Sequence, residues 1–190
     1  DIECTQMVLQ KESSNPKVVE LLHTNSQKVL QKVFEQYEDD NSLCKIAYPW
    51  AKEIINSRQF IESDIIHLHL IHNNIFSILD LSLIASLKPT VWTWHDPWAL
   101  TGHCIHPLNC TNWKTGCSSC PHLDYTFPLI EDTAKEHWNT KKVIAQKSDI
   151  SIVVASQFLE NMCQQSSIAH EYPNIFRIPF GLDLSFKENV

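Results

Sequence analysis

Short apolar runs alternate with longer segments of helical periodicity along the chain, and this alternation constrains its fold more than any other feature. The runs SDIIHLHLIH, KPTVWTWHD, DISIVVAS and NIFRIPFG have the length and composition of buried strands. Helical patterns such as IFSILDLSLIASL, DTAKEHWNTKKVIAQK and SQFLENMCQQS lie between them. Strands that alternate with helices form βαβ units. The sequence therefore predicts an α/β fold, a Rossmann-like parallel sheet flanked by helices.

The N-terminal third continues the pattern. CTQMVLQ predicts a short strand, and YPWAKEIINS predicts a helix with Pro49 in its first turn. NSQKVLQKVFEQYEDD predicts a helix with Asn25 or Ser26 as its N-cap. Five apolar residues recur there at helical spacing and predict its buried face: Val29, Leu30, Val33, Phe34 and Tyr37.

Composition limits the classes of function. The 190 residues are 43% apolar and 19% charged, which predicts one globular domain, or one domain and a piece of another. A net charge of −7 argues against a nucleic-acid-binding protein, and no basic run provides a membrane patch. The three glycines form neither a dinucleotide-binding nor a Walker-type phosphate loop.

We expect neither a signal peptide nor a membrane-spanning helix in these residues. DIECTQMVLQ lacks the features of a signal peptide, and no run of eighteen apolar residues could cross a membrane. These absences favour a cytoplasmic location, with peripheral contact at the inner membrane face left open. In the cytosol thiols stay reduced, so clustered cysteines indicate metal binding or catalysis before disulfides.

Polar residues gather where the predicted strands end, which is where parallel α/β sheets bind ligands. His95 is the best catalytic candidate, because a neutral imidazole there can donate to or accept from a ligand. The alternative is a histidine with an ordinary structural partner. Ser156 is better explained as a helix N-cap than as a nucleophile. The other strand-end residues are His72, Asn73, Asn74, Asp96, Gly181 and Asp183.

Four cysteines in seventeen residues have the spacing C-x5-C-x6-C-x2-C. Cys104, Cys110, Cys117 and Cys120 could close a tetrahedral sulfur site, which suits a structural zinc ion. His103 or His106 could replace one cysteine. Buried free thiols, two disulfides, or a redox pair of Cys117 and Cys120 are the alternatives, although CSSC lacks the strand-to-helix context of thioredoxin-like motifs.

Other residue types in this chain have ordinary explanations. His67 and His69 share one face of their strand and could join His72 at a metal, but structural hydrogen bonds are the simpler interpretation. Cys4, Cys44 and Cys163 resemble small apolar residues. The tryptophans could stack on a sugar, yet core packing is the default for each: Trp92, Trp94, Trp98 and Trp113.

The segment HDPWALTGHC…C…C…CP resembles the N-terminal domain of one branch of glycosyltransferase family 4, with an HDxWxxTGxC…C…CxxC motif. SDIIHLHLIHNN, VVASQFLENMCQQS and IPFGLDLSFKE match that pattern in order and spacing. The resemblance runs from about Gln6 to the last residues. It implies a GT-B enzyme, in which two Rossmann-like domains face a cleft.

Such enzymes move a sugar, of hexosyl type in this case, from a nucleotide-sugar to a saccharide or lipid-linked acceptor with retention of configuration, as in polysaccharide biosynthesis. By resemblance, His95 matches the catalytic histidine that contacts the transferred sugar. Asp96, His72, Asn73 and Asn74 match substrate-binding positions of the same cleft. The four cysteines match this branch without proving a metal.

The resemblance also implies a fragment. Residues 1–182 match a truncated acceptor-side domain without the first strand and glycine-rich loop, and residues 102–124 form the Cys-rich segment. Residues 183–190 match the start of the interdomain linker, and the C-terminal domain would be the missing partner. We expect such a piece alone to be inactive. The alternative is a non-catalytic, zinc-stabilised α/β binding module.

Overall fold

The computed structural model describes residues 2–181 and contains two parallel sheets. The larger sheet has four strands in chain order, β3-β4-β5-β6, and confirms the predicted α/β fold. A smaller sheet pairs β1 with β2, of which only β1 was predicted. The strands are β1 Gln6–Val8, β2 Val18–Glu20, β3 Ile66–His69, β4 Thr90–Trp94, β5 Ser151–Val154 and β6 Asn174–Arg177.

Helices flank the larger sheet. They are α1 Asn25–Asp40, α2 Ala51–Ile55, α3 Arg58–Glu62, α4 Leu81–Leu87, α5 Ala134–Gln146 and α6 Gln157–Cys163. One helix was predicted before β4, but its first part is a 3₁₀ turn, Ile78–Asp80. The hydroxyl of Ser77 caps this turn by accepting from the amide of Leu79. Ser156 caps α6 as predicted, since its hydroxyl accepts from the amide of Leu159.

The core is densest around the two central strands. Trp92, Trp94, Ile152 and Val154 are each at most 2% exposed. The outer strands β3 and β6 are only partly covered. The core prediction for the tryptophans is therefore confirmed, and Trp98 and Trp113 are also buried.

Helix α1 contradicts the sequence expectation in two ways. Thr24, not Asn25 or Ser26, is the N-cap, and it forms a capping box with Gln27. Most of the apolar stripe also faces outward, because Val29, Val33 and Tyr37 are more than half exposed. Of the five predicted residues, Phe34 packs against the buried cluster that includes Trp50.

The side of α1 that is buried is polar. Gln31 donates from its amide to the carbonyl of Asn74, and its oxygen accepts from the indole of Trp50. Glu38 accepts from the backbone amide of Ala47. Hydrogen bonds of Gln31 and Glu38, together with the packing of Phe34, therefore hold this helix in its orientation.

The long connection between β4 and α5 contains the Cys-rich segment. Its regular structure is limited to the 3₁₀ turns Pro97–Leu100 and Asn112–Lys114. At Gly102 the segment packs closely against α5, since a Cβ at this position would lie 2.4 Å from the carbonyl oxygen of Ala134. No helix within residues 2–181 is long and apolar enough to span a bilayer.

Candidate functional site

The carboxyl ends of β3 and β4 bring two histidines together. These strands are parallel neighbours with His69 opposite Thr93, so His69 and His95 extend from adjacent positions. His69 Nδ1 lies 2.9 Å from His95 Nε2, within hydrogen-bonding distance. The structure therefore places His95 at the strand end, as predicted, and gives it a partner, His69, that the sequence pattern does not identify.

A third imidazole extends this arrangement. His67 stacks near His69, with ring centroids 4.2 Å apart, and its Nε2 is 2.8 Å from the hydroxyl oxygen of Thr93. Partial burial lowers the pKa of both His67 and His69, and the neighbouring imidazoles lower it further. We call His67, His69 and His95 the histidine row. A lowered pKa favours the uncharged form of His67 and His69, in which an imidazole can donate to or accept from a polar ligand.

His72 and Asp96, the residue that follows His95, form a second pair. His72 Nε2 is 3.2 Å from Asp96 Oδ2, and His72 is buried. The other carboxylate oxygen of Asp96 accepts from the amide of Trp98 at 2.8 Å. The ring of His72 stacks on Trp98, with centroids 4.9 Å apart. This pair is held on both sides, so the backbone after His95 has a defined course.

Lys141 supports Trp98 from helix α5. Its ammonium lies 3.6 Å from the centroid of a Trp98 ring, and it donates to the carbonyl oxygens of Trp98, Thr101 and Gly102 at 2.7, 3.0 and 3.2 Å. Three acceptors match the three N–H groups of an ammonium. Lys141 is 1% exposed, and this burial lowers its pKa to about 8.

Asn73 and Asn74 occupy different environments. Asn74 adopts a left-handed backbone, φ 66°, and its side chain accepts from Tyr48 at 2.8 Å and donates to Glu35 at 2.9 Å. The amide of Asn74 is thus engaged within the protein, whereas Asn73 is exposed. No ligand contact tests either substrate-binding prediction, and both stay predictions.

The end of the described chain returns to the site. Phe180, three residues after β6, stacks on the ring of His95 with centroids 5.3 Å apart. Gly181, a predicted strand-end residue, is exposed beside it. Asp183 and the predicted linker 183–190 lie outside the described residues.

The four clustered cysteines line one cavity, which we call the cysteine cavity, together with Gly102 and His103. All seven cysteines of the chain are free thiols. Burial raises the pKa of Cys117 to about 12 and raises that of Cys104 and Cys120. A reactive thiol needs a lowered pKa, so these values argue against the redox alternative.

Two residues that support the site had weak sequence signals. Lys141 follows Ala134 and Trp138 at helical spacing, which places it on the buried face of α5. A lysine on such a stripe indicates a buried ammonium with a specific partner. The pairing of His69 with His95 requires the strand register, which the sequence pattern left open.

A curated protein is similar to part of this chain. A curated protein of Escherichia coli (strain K12), which carries the provisional name colanic acid biosynthesis glycosyl transferase WcaC, is 35% identical over 79 residues. The matched part covers 38% of this chain and 20% of the relative, so the chain spans only about a fifth of that relative's length. This similarity relates the chain to a glycosyl transferase. No family model and no solved structure matches the chain.

Proposed function

We propose that the chain is the acceptor-side, N-terminal part of a retaining glycosyltransferase of family 4 with a GT-B fold. Its full-length form would transfer a hexosyl group from a nucleotide-sugar to a saccharide or lipid-linked acceptor. The observation that carries the proposal is the convergence of His95, His69 and the His72–Asp96 pair at one edge of a parallel sheet. The similarity to a glycosyl transferase supports the same chemistry.

His95 would hydrogen-bond the donor sugar and orient it as the nucleotide leaves. An exposed imidazole at a strand end can reach a ligand in a cleft, and its partner His69 restricts its rotation. Positioning of this kind, together with stabilisation of developing charge, supplies much of the rate in group transfer. Asp96 and His72 would hold the loop that follows His95, and exposed Asn73 would be free to contact the acceptor.

The proposal also specifies what lies outside this chain. The nucleotide-sugar pocket would belong to a C-terminal domain that follows residue 190, with residues 183–190 as the linker. The cytoplasm would be the site of the reaction, with at most peripheral contact to the inner face of the membrane. This chain alone would then bind acceptor and transfer no sugar.

The test uses the longest natural reading frame that contains this chain. Purified protein is incubated with a panel of nucleotide-sugars and acceptors, and transfer is followed by mass spectrometry. His95→Ala should lower kcat by about a hundredfold or more. His170→Ala is the matched control, because His170 is also an exposed histidine. It precedes the outer strand β6, whereas His95 follows the central strand β4.

Each result of this assay decides one part of the proposal. Activity of His95→Ala within a few-fold of wild type removes His95 from the catalytic group. NMR of the product shows the anomeric configuration, and inversion would contradict a retaining mechanism while leaving transfer established. Saccharide binding without transfer by any donor would favour the non-catalytic binding module instead.

A further inference from the structure

We propose that the cysteine cavity binds one zinc ion, or another thiophilic divalent ion, through Cys104, Cys110, Cys117 and Cys120. The four cysteines are spread over residues 104–120, yet all four line the same cavity. Four thiolates in one place form the tetrahedral set that structural zinc sites use. This proposal is independent of the sugar-transfer proposal, because it concerns how the segment is held together.

Two of the sulfurs already have hydrogen-bonding partners. The amide of Gly102 donates to Cys117 Sγ at 3.1 Å, a contact that strengthens when the sulfur is a thiolate. His103 Nε2 lies 3.2 Å from Cys120 Sγ, and His103 Nδ1 lies 3.1 Å from the carbonyl oxygen of Phe127. A backbone amide that donates to a ligand sulfur, as the Gly102 amide does, is typical of metal sites.

The histidines near the segment play different parts. A carbonyl oxygen can only accept, so Nδ1 of His103 carries a proton toward Phe127 and the ring is fixed in place. His106 is exposed and stacks on Phe158, with ring centroids 5.7 Å apart. In the neutral ring, Nε2 of His103 is then an acceptor for the Cys120 thiol. Metal binding removes that thiol proton, so His103 has to turn away or take up a proton when Cys120 becomes a ligand. Four sulfurs already complete a tetrahedral set without a histidine.

The backbone of the segment shows why a cross-link is needed. Leu108, Cys117 and Ser119 all have left-handed backbones, with φ values of 50°, 49° and 56°. Each such residue costs on the order of 1 kcal/mol or more and persists only where its surroundings hold it. Within 102–124, the buried apolar side chains are those of Pro107, Trp113 and Cys117. A metal ion would supply the stability that so small a core does not.

Charge provides an independent argument. Lys141 is a buried ammonium, and no carboxylate of the described residues forms a salt bridge with it. Buried charges are normally paired with an opposite charge. Lys141 donates to the Gly102 carbonyl, and the Gly102 amide donates to Cys117. A divalent ion with four thiolates carries a net charge of about −2, which would complement the ammonium.

Binding must draw the sulfurs inward. Within residues 2–181, no three His, Cys, Asp or Glu side chains are yet grouped as ready metal ligands. Zn–S bonds are about 2.3 Å long, so side-chain rotations have to bring the sulfurs to a common centre. The balanced step is one divalent ion plus four thiols, giving one tetrathiolate complex and four protons. Binding should therefore weaken as the pH is lowered.

The experiment is a metal titration of the 190-residue chain. The protein is reduced, stripped with a chelator and titrated with Co²⁺ and then Zn²⁺, while thiolate-to-cobalt absorption and far-UV circular dichroism are recorded. We expect one Co²⁺ per chain, displaced by Zn²⁺, with proton release into a weakly buffered solution. Mass spectrometry of protein purified without chelator should find about one zinc per chain.

Matched cysteine variants identify the ligands. Cys110→Ser should lower the Zn²⁺ affinity on the order of a hundredfold or more and weaken the cobalt absorption. Cys4→Ser changes an exposed cysteine outside the cavity and should bind like wild type. Cys163→Ala is a second control, in α6. Cys110 is only half-buried, so its serine variant is expected to fold.

Three results would overturn the proposal. One is a folded wild-type chain that shows no thiolate-to-cobalt absorption. Another is a Cys110→Ser variant with the affinity and stoichiometry of wild type. The third is non-reduced protein whose mass is two or four hydrogens lower than the free-thiol mass and which binds no metal after reduction, since the cysteines would then form disulfides.

Discussion

The four-stranded sheet and the Cys-rich segment are stabilised in different ways. In the sheet, β4 and β5 pair along their length and bury Trp92, Trp94 and Ile152 almost completely. In the segment 102–124, a single three-residue 3₁₀ turn is the regular structure, and three non-glycine residues are left-handed. Burial of apolar area stabilises the sheet. Individual contacts to α5, and those that His103 makes within the Cys-rich region, hold the segment.

The difference teaches where each region is vulnerable. Sheet stability is spread over many apolar contacts, so one altered side chain removes only part of it. The segment depends on a few close contacts, chiefly Gly102 against Ala134 and Lys141 against three carbonyls. Changes at those contacts should have effects out of proportion to their size.

The largest effect is expected at Gly102. Gly102→Ala would place a methyl group 2.4 Å from the Ala134 carbonyl oxygen and 2.8 Å from its Cα, so backbone must move. We expect the free energy of unfolding to fall by more than about 3 kcal/mol in urea titrations. Gly116→Ala is the control, because nothing lies within 4 Å of its added Cβ. Equal effects of the two variants would show that the segment is not docked on α5.

Lowering the pH should destabilise the folded protein through His137, a buried residue of α5. Burial lowers its pKa to about 4, and the charges of Lys141 and His103 add to this shift. Between about pH 6.5 and pH 4 the unfolded chain binds a proton that the folded chain does not, so stability falls as the pH is lowered. His137 alone should account for about 2–3 kcal/mol of this loss.

The His137→Gln variant isolates that contribution. Unfolding free energies of both proteins are measured at about pH 7 and about pH 4.5, and the variant should lose less stability between them. Other groups titrate equally in the two proteins and cancel in the difference. An identical pH dependence would mean that the pKa of His137 is the same in the folded and the unfolded chain.

Removal of the Lys141 ammonium tests the second close contact. Lys141→Met keeps the length of the side chain but leaves the carbonyls of Trp98, Thr101 and Gly102 without their donor. We expect a loss of about 2 kcal/mol, measured by urea unfolding. Lys142→Met is the control, since Lys142 is partly exposed and pairs with Glu171 at 3.5 Å, and should change stability by about 0.5 kcal/mol or less. If Lys141→Met left the free energy of unfolding unchanged, other contacts would have to stabilise the segment.

The smallest effect is expected in the loop after β3. Asn74→Ala removes the hydrogen bonds to Tyr48 and Glu35 and should cost about 1 kcal/mol. Asn73→Ala, at the neighbouring exposed position, should lie within about 0.5 kcal/mol of wild type. Acceptor binding is measured for the same variants. Asn73→Ala should weaken acceptor binding although it leaves the free energy of unfolding almost unchanged. The reverse pattern would assign the ligand contact to Asn74.

The strand-end site could be predicted because it follows from topology. In a parallel sheet the residues after each strand meet at one edge, so His95, Asp96 and His72 could be located from the apolar runs alone. The hydrogen bond between His69 and His95 could not be predicted, since it requires the register of β3 against β4. The same limit applies to Asn74, whose partner Glu35 is 39 residues away.

Helix α1 shows the other limit of sequence patterns. Its apolar residues recur at helical spacing, which normally identifies the buried face. The polar groups of Gln31 and Glu38 instead satisfy Trp50, Asn74 and Ala47, and a buried donor without a partner costs more than an exposed valine. A pattern of apolar spacing carries no information about such partners.

The outward stripe of α1 also affects how the protein can be handled. Val29, Val33 and Tyr37 are 63%, 58% and 57% exposed and lie one turn apart on the same face. An apolar row in water is a place where copies of a protein adhere as concentration rises. Charged replacements at these three positions would leave the hydrogen bonds of Gln31 and Glu38, on the buried side of α1, intact. They offer the simplest route to samples concentrated enough for crystallisation or NMR.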